Sequence, residues 1–502
     1  MNFTFIPDNL ALLPIAIPLI GAMLGLLLRN RPRLRAAVST GMMLASLGFS
    51  ILLLIQVMRT GDAVIFQSGG WRFPYGITLI GDPLSALFTV MAQLVMTTGF
   101  LYALGSKDYI ITYRSFYPLF LLLTTGLTGT FLTGDLFNMF VFAELLVISG
   151  ATLTASSDDR YGTEAAYKYY YMSLMAATFM LLSIGSLYVS YGTLNMADLG
   201  ARVAARPDGI LLAPAIALLM ATFMIKSAVF PFHFWQPDFH AAAPTAVSAM
   251  LSSVVVHVGV YGFLRMTTLL FVAQAPLIRT ILLVLGLTGV IFGGLSAVGT
   301  HNVKRMLAYS TLAQLGFILV GIGWGTAPAI AAAVVFSFNH SLIKAAMLML
   351  AGYVASRAPI KSAAFEVVKG VGHHLPAAGG LFLLGGLALS GIPPTNGFIS
   401  KMLLFRSGIA AEGYAPLLII GLASILTLVY VIRAFQMIWW EAPQEAFKPK
   451  PTGDSLLAPV MLIGLVLLLG IWGEPLVDAA TGISDWLLTP ARYIEAVSGT
   501  GG

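Results

Sequence analysis

Four ionisable side chains stand in stretches that are otherwise largely apolar. Glu144 lies in NMFVFAELLVISG, Lys226 in MIKSAVFPFHFWQPD, Lys344 in NHSLIKAAM and Lys401 in LALSGIPPTNGFISKMLL. A charge at bilayer depth costs several kcal/mol, so such residues face a protein interior or a wet cavity and often mark ion or proton paths. Any one of them alone also admits the reading of a structural ion pair between helices. Four together, with histidines among them, point to proton handling. His340 and Lys344 are four residues apart and share a helical face, as do Ser253 and His257 in LSSVVVHVGV. Histidine takes and gives a proton near neutrality. His257 and His340 fall in mid-span and are read as relay groups. His233 and His240 sit in and beyond a break and are read as hydrogen-bonded packing residues. His301, His373 and His374 lie at loop ends and are read as solvated. Ser310 and Gln314 share a face in YSTLAQ, where such groups hold water or fasten helices together equally well.

The positioning elements are broken helices. Pro231 follows Lys226 by five residues and cannot donate to the carbonyl of Ser227. Pro393 and Pro394 release the carbonyls of Leu389 and Ser390, and Gly391 and Gly397 permit backbone that a helix does not adopt. Irregular backbone at membrane depth is tolerated where it is buried in protein or lines a cavity. A broken helix in each half of a chain points to a transport site.

The rest of the chain fits a bilayer. Of 502 residues 58% are apolar and 10% charged, with a mean hydropathy of +0.89. That excludes a soluble enzyme, a disordered chain and a collagen-like fibre. The net charge of +6 comes from Lys and Arg scattered between apolar runs, so nucleic acid is not an expected partner and the lipid bilayer is. There is no Cys, hence no disulfide, thiolate chemistry or cysteine-held cluster, and no zinc, haem or nucleotide motif appears. No bound cofactor is expected. Spans are predicted near 10–28, 36–58, 84–104, 116–133, 136–155, 167–191, 210–230, 244–270, 276–299, 306–323, 327–355, 377–400, 415–439 and 456–473. The first lacks a basic leader and a small-residue cleavage pattern, so it reads as a span and not a signal peptide. Residues 63–83 read as a hairpin lying on the membrane surface, 441–455 as a polar connector and the terminal SGTGG as a loose tail. With both termini outside, the cytoplasmic loops carry Arg29, Arg31, Arg33, Arg35, Lys304, Arg305 and Lys448 among others. The opposite loops carry Arg59, Arg72, Arg202 and Arg265 among others, in all about half as many.

The segments GDLFNMFVFAELL, KSAVFPFHFWQPDFHAAAPTAVSAMLSSVVVHVGVYGFLR, KRMLAYSTLAQLGF, FNHSLIKAAMLMLAGYV and LSGIPPTNGFISK resemble the antiporter-like subunits shared by respiratory NADH dehydrogenase, membrane-bound hydrogenases and Mrp-type sodium/proton antiporters. The resemblance runs from about residue 10 to 470. FLTGDLFN, YGTLNMADL and the length near 500 make the D-type subunits of the Mrp branch the most similar. The resemblance implies an all-α polytopic fold of fourteen helices, with spans 4–8 and 9–13 as inverted repeats and helices 7 and 12 discontinuous. The chain then divides into 1–115, 116–270, 271–440 and 441–502. It implies a row of protonatable groups, Glu144, Lys226, His257, His340, Lys344 and Lys401, and work in company with other membrane subunits in a prokaryotic plasma membrane. His257 stands where the D-type subunits often have Lys.

Burial of Lys226 opposes its charged form while an adjacent Glu144 supports it, so a change in their separation moves a proton. The expected cargo is H+ and Na+. Sodium needs oxygen ligands, and acids at depth are few: Glu144, with Asp135 and Asp238 as further candidates, although Asp135 equally suits a helix N-cap. The alternative reading is the proton-pumping subunit of a redox complex, itself without a redox site.

Overall fold

The computed structural model describes residues 9–71, 73–157, 160–442, 450 and 452–499. Arg72, Lys448, most of the connector 441–455 and the end of the tail lie outside them. The architecture is nearly all helical. In chain order, α1 (Leu13–Leu27) and α2 (Pro32–Thr60) precede a hairpin of β1 (Val64–Gln67) and β2 (Thr78–Gly81). Then come α3 (Pro83–Leu104), α4 (Phe116–Leu132), α5 (Leu136–Ala155), α6 (Arg160–Tyr191), the short α7 (Met196–Ala205), α8 (Leu212–Lys226) and α9 (Trp235–Ala242). The second half holds α10 (Thr245–Leu270), α11 (Ala275–Gly299), α12 (Val303–Trp324), α13 (Ala327–Arg357), α14 (Pro376–Ser390), α15 (Asn396–Ala410), α16 (Tyr414–Trp440), α17 (Leu457–Ile471), α18 (Glu474–Leu487) and α19 (Pro490–Ser498).

Local chemistry sets the helix starts. Asp82 accepts from the Ser85 amide at 2.8 Å with Pro83 beside it, and Asp135 accepts from Asn138 at 2.8 Å. Asn195 and Asn302 cap α7 and α12 in the same way.

Among the described residues nine helices are long and apolar enough to cross a bilayer: α2, α3, α5, α6, α10, α11, α12, α13 and α16. The pair α17 and α18, bent by 77°, makes a tenth. The shorter apolar helices α1, α4, α8 and α14 fall on four further expected spans, so length alone does not reach fourteen. Boundaries differ from expectation at the sixth span, which begins at Arg160, and at the seventh helix, which ends at Lys226 instead of 230; the twelfth span is discontinuous as expected, dividing into α14 and α15. The helices α18 and α19, where only a tail was expected after the last span, are short, with polar and apolar faces, and lack the long apolar run that marks a span.

Helices α10 and α13 are buried on all sides and form the axis of the bundle, while α2, α11 and α16 expose much of their surface at its rim. The loops gather at two ends. At one, β1 and β2 pair antiparallel with Val64 opposite Gly81. The Gly134 amide donates to the Thr78 carbonyl at 2.8 Å, and Met196 N donates to Gly134 O at 2.8 Å. Strand β2 is buried under these turns, while β1 is half-buried and the connecting turn exposes Trp71 and Tyr75. At the other end, Val303 N reaches Ala363 O at 2.9 Å and Ser455 N reaches Gly105 O at 3.1 Å.

The second break depends on one close approach. A Cβ on Gly397, in the first turn of α15, would come within 1.8 Å of the Ala388 carbonyl of α14. Gly397→Val is therefore expected to destabilise the protein by about 3 kcal/mol or prevent its accumulation, by the overpacking rule. Gly185→Ala, which meets nothing within 4 Å inside α6, is expected to keep or slightly raise the melting temperature. Thermal unfolding of the two purified variants in detergent checks the contrast.

Candidate functional site

Helix α8 ends on Lys226 itself. Ala228 takes a left-handed φ of 52°, Val229 N bonds back to Met224 O at 2.9 Å, and the chain turns before α9 begins. Pro231 lies beyond this turn, so the break is set one turn earlier than the proline alone implies. The turn sits on α10: Ser227 Oγ donates to the Val256 carbonyl at 2.8 Å, and a Cβ on Gly259 would fall 1.8 Å from Ser227 Oγ. Lys226 Nζ stands 3.3 Å from Glu144 Oε1, with side chains 6% and 18% exposed. Glu144 shares the outward face of α5 with the exposed Phe137, Val141 and Ile148. The lysine is thus inside the bundle and the carboxylate at its edge. Beside the lysine is a cavity of 10 Å³ lined by Tyr169, Ser173, Val255 and Val258 among others, about the space one water needs.

The second group is on α10 and α13. Residues Leu251–Val255 form a π turn in α10, and His257 follows it. Its ring centroid is 5.3 Å from that of His340. His257 Nδ1 is 3.5 Å from Ser341 Oγ, which also reaches Ser253 O at 3.0 Å. Ser253 contributes its carbonyl, because its hydroxyl donates within its own helix to Ala249 O at 2.6 Å. His257 Nε2 and both ring nitrogens of His340 are buried without a protein partner. Such nitrogens are free to exchange a proton or to meet water. His340, Gln314, Asn339, Ser400 and Lys401 line a second cavity of 10 Å³.

Lys401 and Lys344 are held by neutral oxygens. Lys401 Nζ donates at 3.0 Å to Ser390 O, the carbonyl that Pro394 leaves without its helical donor, and lies 4.9 Å over the Phe317 ring. Gly391, at φ 81°, passes the lysine stem. Lys344 Nζ donates to Ser310 Oγ at 2.8 Å and Leu307 O at 3.1 Å, and Tyr430 OH donates to the same Ser310 oxygen at 2.8 Å. Among the described residues neither of these two lysines has a carboxylate in ion-pair range.

The structure therefore brings together Glu144 with Lys226, His257 with His340, and His340 with Gln314 and Lys401 around one cavity. Lys344 shares a face with His340 but turns its amine to α12. Val255 and Val258 stand between the Lys226 cavity and the histidines. Asp135 is a helix cap, and Asp238 is tied to Lys168 and Arg305 at the surface, so neither joins this row. His240 departs from the expected hydrogen-bonded packing role: it is fully buried, with both ring nitrogens unpartnered. His233 stacks on Phe230, and its Nδ1 is also without a partner. Sequence reasoning does not single out Asn339, Asn396 and Ser400. Asn339 Nδ2 donates to Asn396 O at 3.1 Å and Ser400 Oγ at 2.8 Å, and Asn396 Nδ2 returns a bond to Asn339 Oδ1 at 2.9 Å. Asn396 and Ser400, four apart in a membrane helix, are the signal that marks them.

Residues 133–427 match the family model described as NADH:quinone oxidoreductase/Mrp antiporter, TM. The D subunit of the Na(+)/H(+) antiporter of Bacillus subtilis is 32% identical over 496 residues, 98% of this chain and 99% of that one. Its counterpart in Alkalihalophilus pseudofirmus, also a Na(+)/H(+) antiporter D subunit, is 30% identical over 495 residues, with 98% and 99% covered. A chain in the structure of the Mrp complex from Dietzia superposes with a TM-score of 0.89 at 25% identity, covering 99% of this chain and 100% of that one.

The asparagine clamp has a measurable consequence. Asn339→Ala removes three bonds to the start of α15, each worth about 1 kcal/mol. Amide hydrogen exchange across residues 396–400 is expected to speed up by at least about tenfold. Unchanged protection there counts against the clamp.

Proposed function

The chain belongs to the NADH:quinone oxidoreductase/Mrp antiporter transmembrane family, and from that premise we propose that it is the proton-translocating subunit of a multisubunit Na+/H+ antiporter. It is a multi-pass membrane protein and a transporter subunit, not an enzyme, and it works among other membrane subunits. The observation that carries the proposal is the contact of Lys226 with Glu144 at a helix break, 3.3 Å long, with the lysine enclosed and the acid at the edge. Burial opposes the ammonium and the carboxylate supports it. When the two approach, Lys226 holds its proton; when they part or the cavity dries, it releases it. His257 and His340 carry the proton sideways, and Lys401 receives it at the second break. Lys344 joins when its amine leaves Ser310. Moving one charge through 100 mV is worth about 2.3 kcal/mol, enough to drive such small shifts in proton affinity.

The rest of the reading rests on the sequence. Fourteen crossings, repeats at 116–270 and 271–440, both termini outside, and no cofactor or redox centre in this chain complete the proposal. H+ passes through this chain, and Na+ exchange is shared with partner subunits. A pumping subunit of a redox complex remains the second reading because the family description covers both branches. Co-purification separates them: subunits with flavin or iron–sulfur clusters favour the redox complex, small membrane proteins alone the antiporter.

The direct test is antiport by the complete complex in membrane vesicles. Lys226→Ala and Glu144→Gln are each expected to lower sodium-dependent proton release about tenfold or more with assembly intact, as the loss of one buried charge partner implies. Full antiport in either assembled variant overturns the pair as the carrier.

A further inference from the structure

Helix α10 continues past His257 toward the hairpin end, and its next two turns are unlike the relay. His257, Tyr261 and Arg265 are spaced by four and share one face. Between the first two lies an aromatic layer. Phe88 of α3 packs 6.4 Å from the His257 ring and 5.9 Å from the Tyr261 ring, and Phe131 of α4 is 5.5 Å from Phe88 and 5.3 Å from Tyr261. Beyond it is a fixed charge. Arg265 Nε donates to Tyr261 OH at 3.1 Å, while Arg265 Nη2 donates to Asp82 Oδ1 at 2.7 Å and Ser85 Oγ at 2.9 Å. Tyr261 OH donates in turn to the Phe131 carbonyl at 2.9 Å. The guanidinium lies between the Tyr261 and Tyr493 rings, 4.9 Å from each. Arg265 is 2% exposed and Asp82 0%.

The order along this face decides its effect. A proton leaving His257 for the hairpin end meets two phenylalanines, then a tyrosine, then a guanidinium, and only after that a carboxylate. Arginine does not give up its proton in a protein, so it cannot act as the next carrier. Its Nε edge meets Tyr261 while Asp82 and Ser85 hold Nη2, and a fixed cation on a narrow path excludes protons and metal cations. At the opposite end a cavity of 370 Å³ is lined by Asp108, Lys304 and Lys361 among others; the hairpin end has one of 400 Å³ against Ala327, Arg406 and Ser484, but none of its lining residues is on the His257 face. We propose that Phe88, Tyr261 and the Arg265–Asp82 pair, with Tyr493 as its cover, seal the histidine relay against the hairpin end, so that a proton on His257 cannot leave toward that end. The seal rests on the relay reading given above. Arg265 and Asp82 act through His257 and are positioning residues.

The test is passive proton leak through the complete complex in proteoliposomes without sodium, starting from an imposed pH difference. Arg265→Gln with Asp82→Asn removes both charges together. The pH difference is expected to decay about tenfold faster than in wild type, and His257→Ala on that background is expected to restore the wild-type rate. A wild-type rate in the assembled charge-free variant overturns the seal, and so does a leak that survives loss of His257. Should that variant fail to assemble, Arg265→Lys keeps a cation at the site and must stay tight; a leak there overturns the proposal. The antiport of Lys226→Ala separates the two readings. If it is lost while the charge-free variant stays tight, the seal fails and the relay stands. If it is retained, the relay itself fails.

Discussion

An ammonium group inside an apolar bundle has to be met by oxygen, and three of the buried lysines, Lys226, Lys344 and Lys401, are met in three ways. Lys226 has a carboxylate, Lys344 a hydroxyl and a carbonyl, and Lys401 a carbonyl released from its helix. The rest of the architecture follows from supplying those oxygens. A continuous helix has no spare carbonyl in its middle, so α14 stops at Ser390 and α15 starts afresh at Asn396. A continuous helix also cannot place a lysine at its own end in the middle of the bundle, so α8 stops at Lys226. Each stop then has to be seated against a neighbour, and the seats are glycines: Gly259 under Ser227 and Gly397 on Ala388.

The three environments differ in what can change them. The Lys226 partner is a side chain on another helix and can move away as a unit. The Lys401 partner is backbone and stays as long as the break does. Lys344 shares its hydroxyl with Tyr430, so any rearrangement there has to serve two donors. The row of amines thus has a side-chain counter-charge at one end and backbone or hydroxyl dipoles at the other. The buried arginine pair, at the hairpin end alone among the described residues on the His257 face, gives it an across-membrane asymmetry as well.

Much of this was legible in the sequence because it depends on residue type and short spacing. Mid-span charges, paired prolines and the four-residue step from His340 to Lys344 are local facts. The parts that were not legible are set by distant chain. The first break falls at Lys226 because Ala228 is held left-handed against α10, which no neighbouring residue announces. Lys344 points away from the His340 cavity because Ser310 and Leu307 lie opposite it, and periodicity gives a face but not a direction along it. The clamp of Asn339 on Asn396 joins positions 57 residues apart. Helices α18 and α19 lack the long apolar runs that a span search detects.

The placement of Glu144 has a consequence for how the molecule must be studied. The carboxylate beside Lys226 belongs to the rim, among Phe137, Val141 and Ile148, and whatever covers that rim decides how much of its field survives. Bare lipid, detergent and a neighbouring helix are three different dielectrics. The chain taken out of its assembly is accordingly a different acid from the chain inside it, and titrating it in isolation characterises a substance the cell never contains.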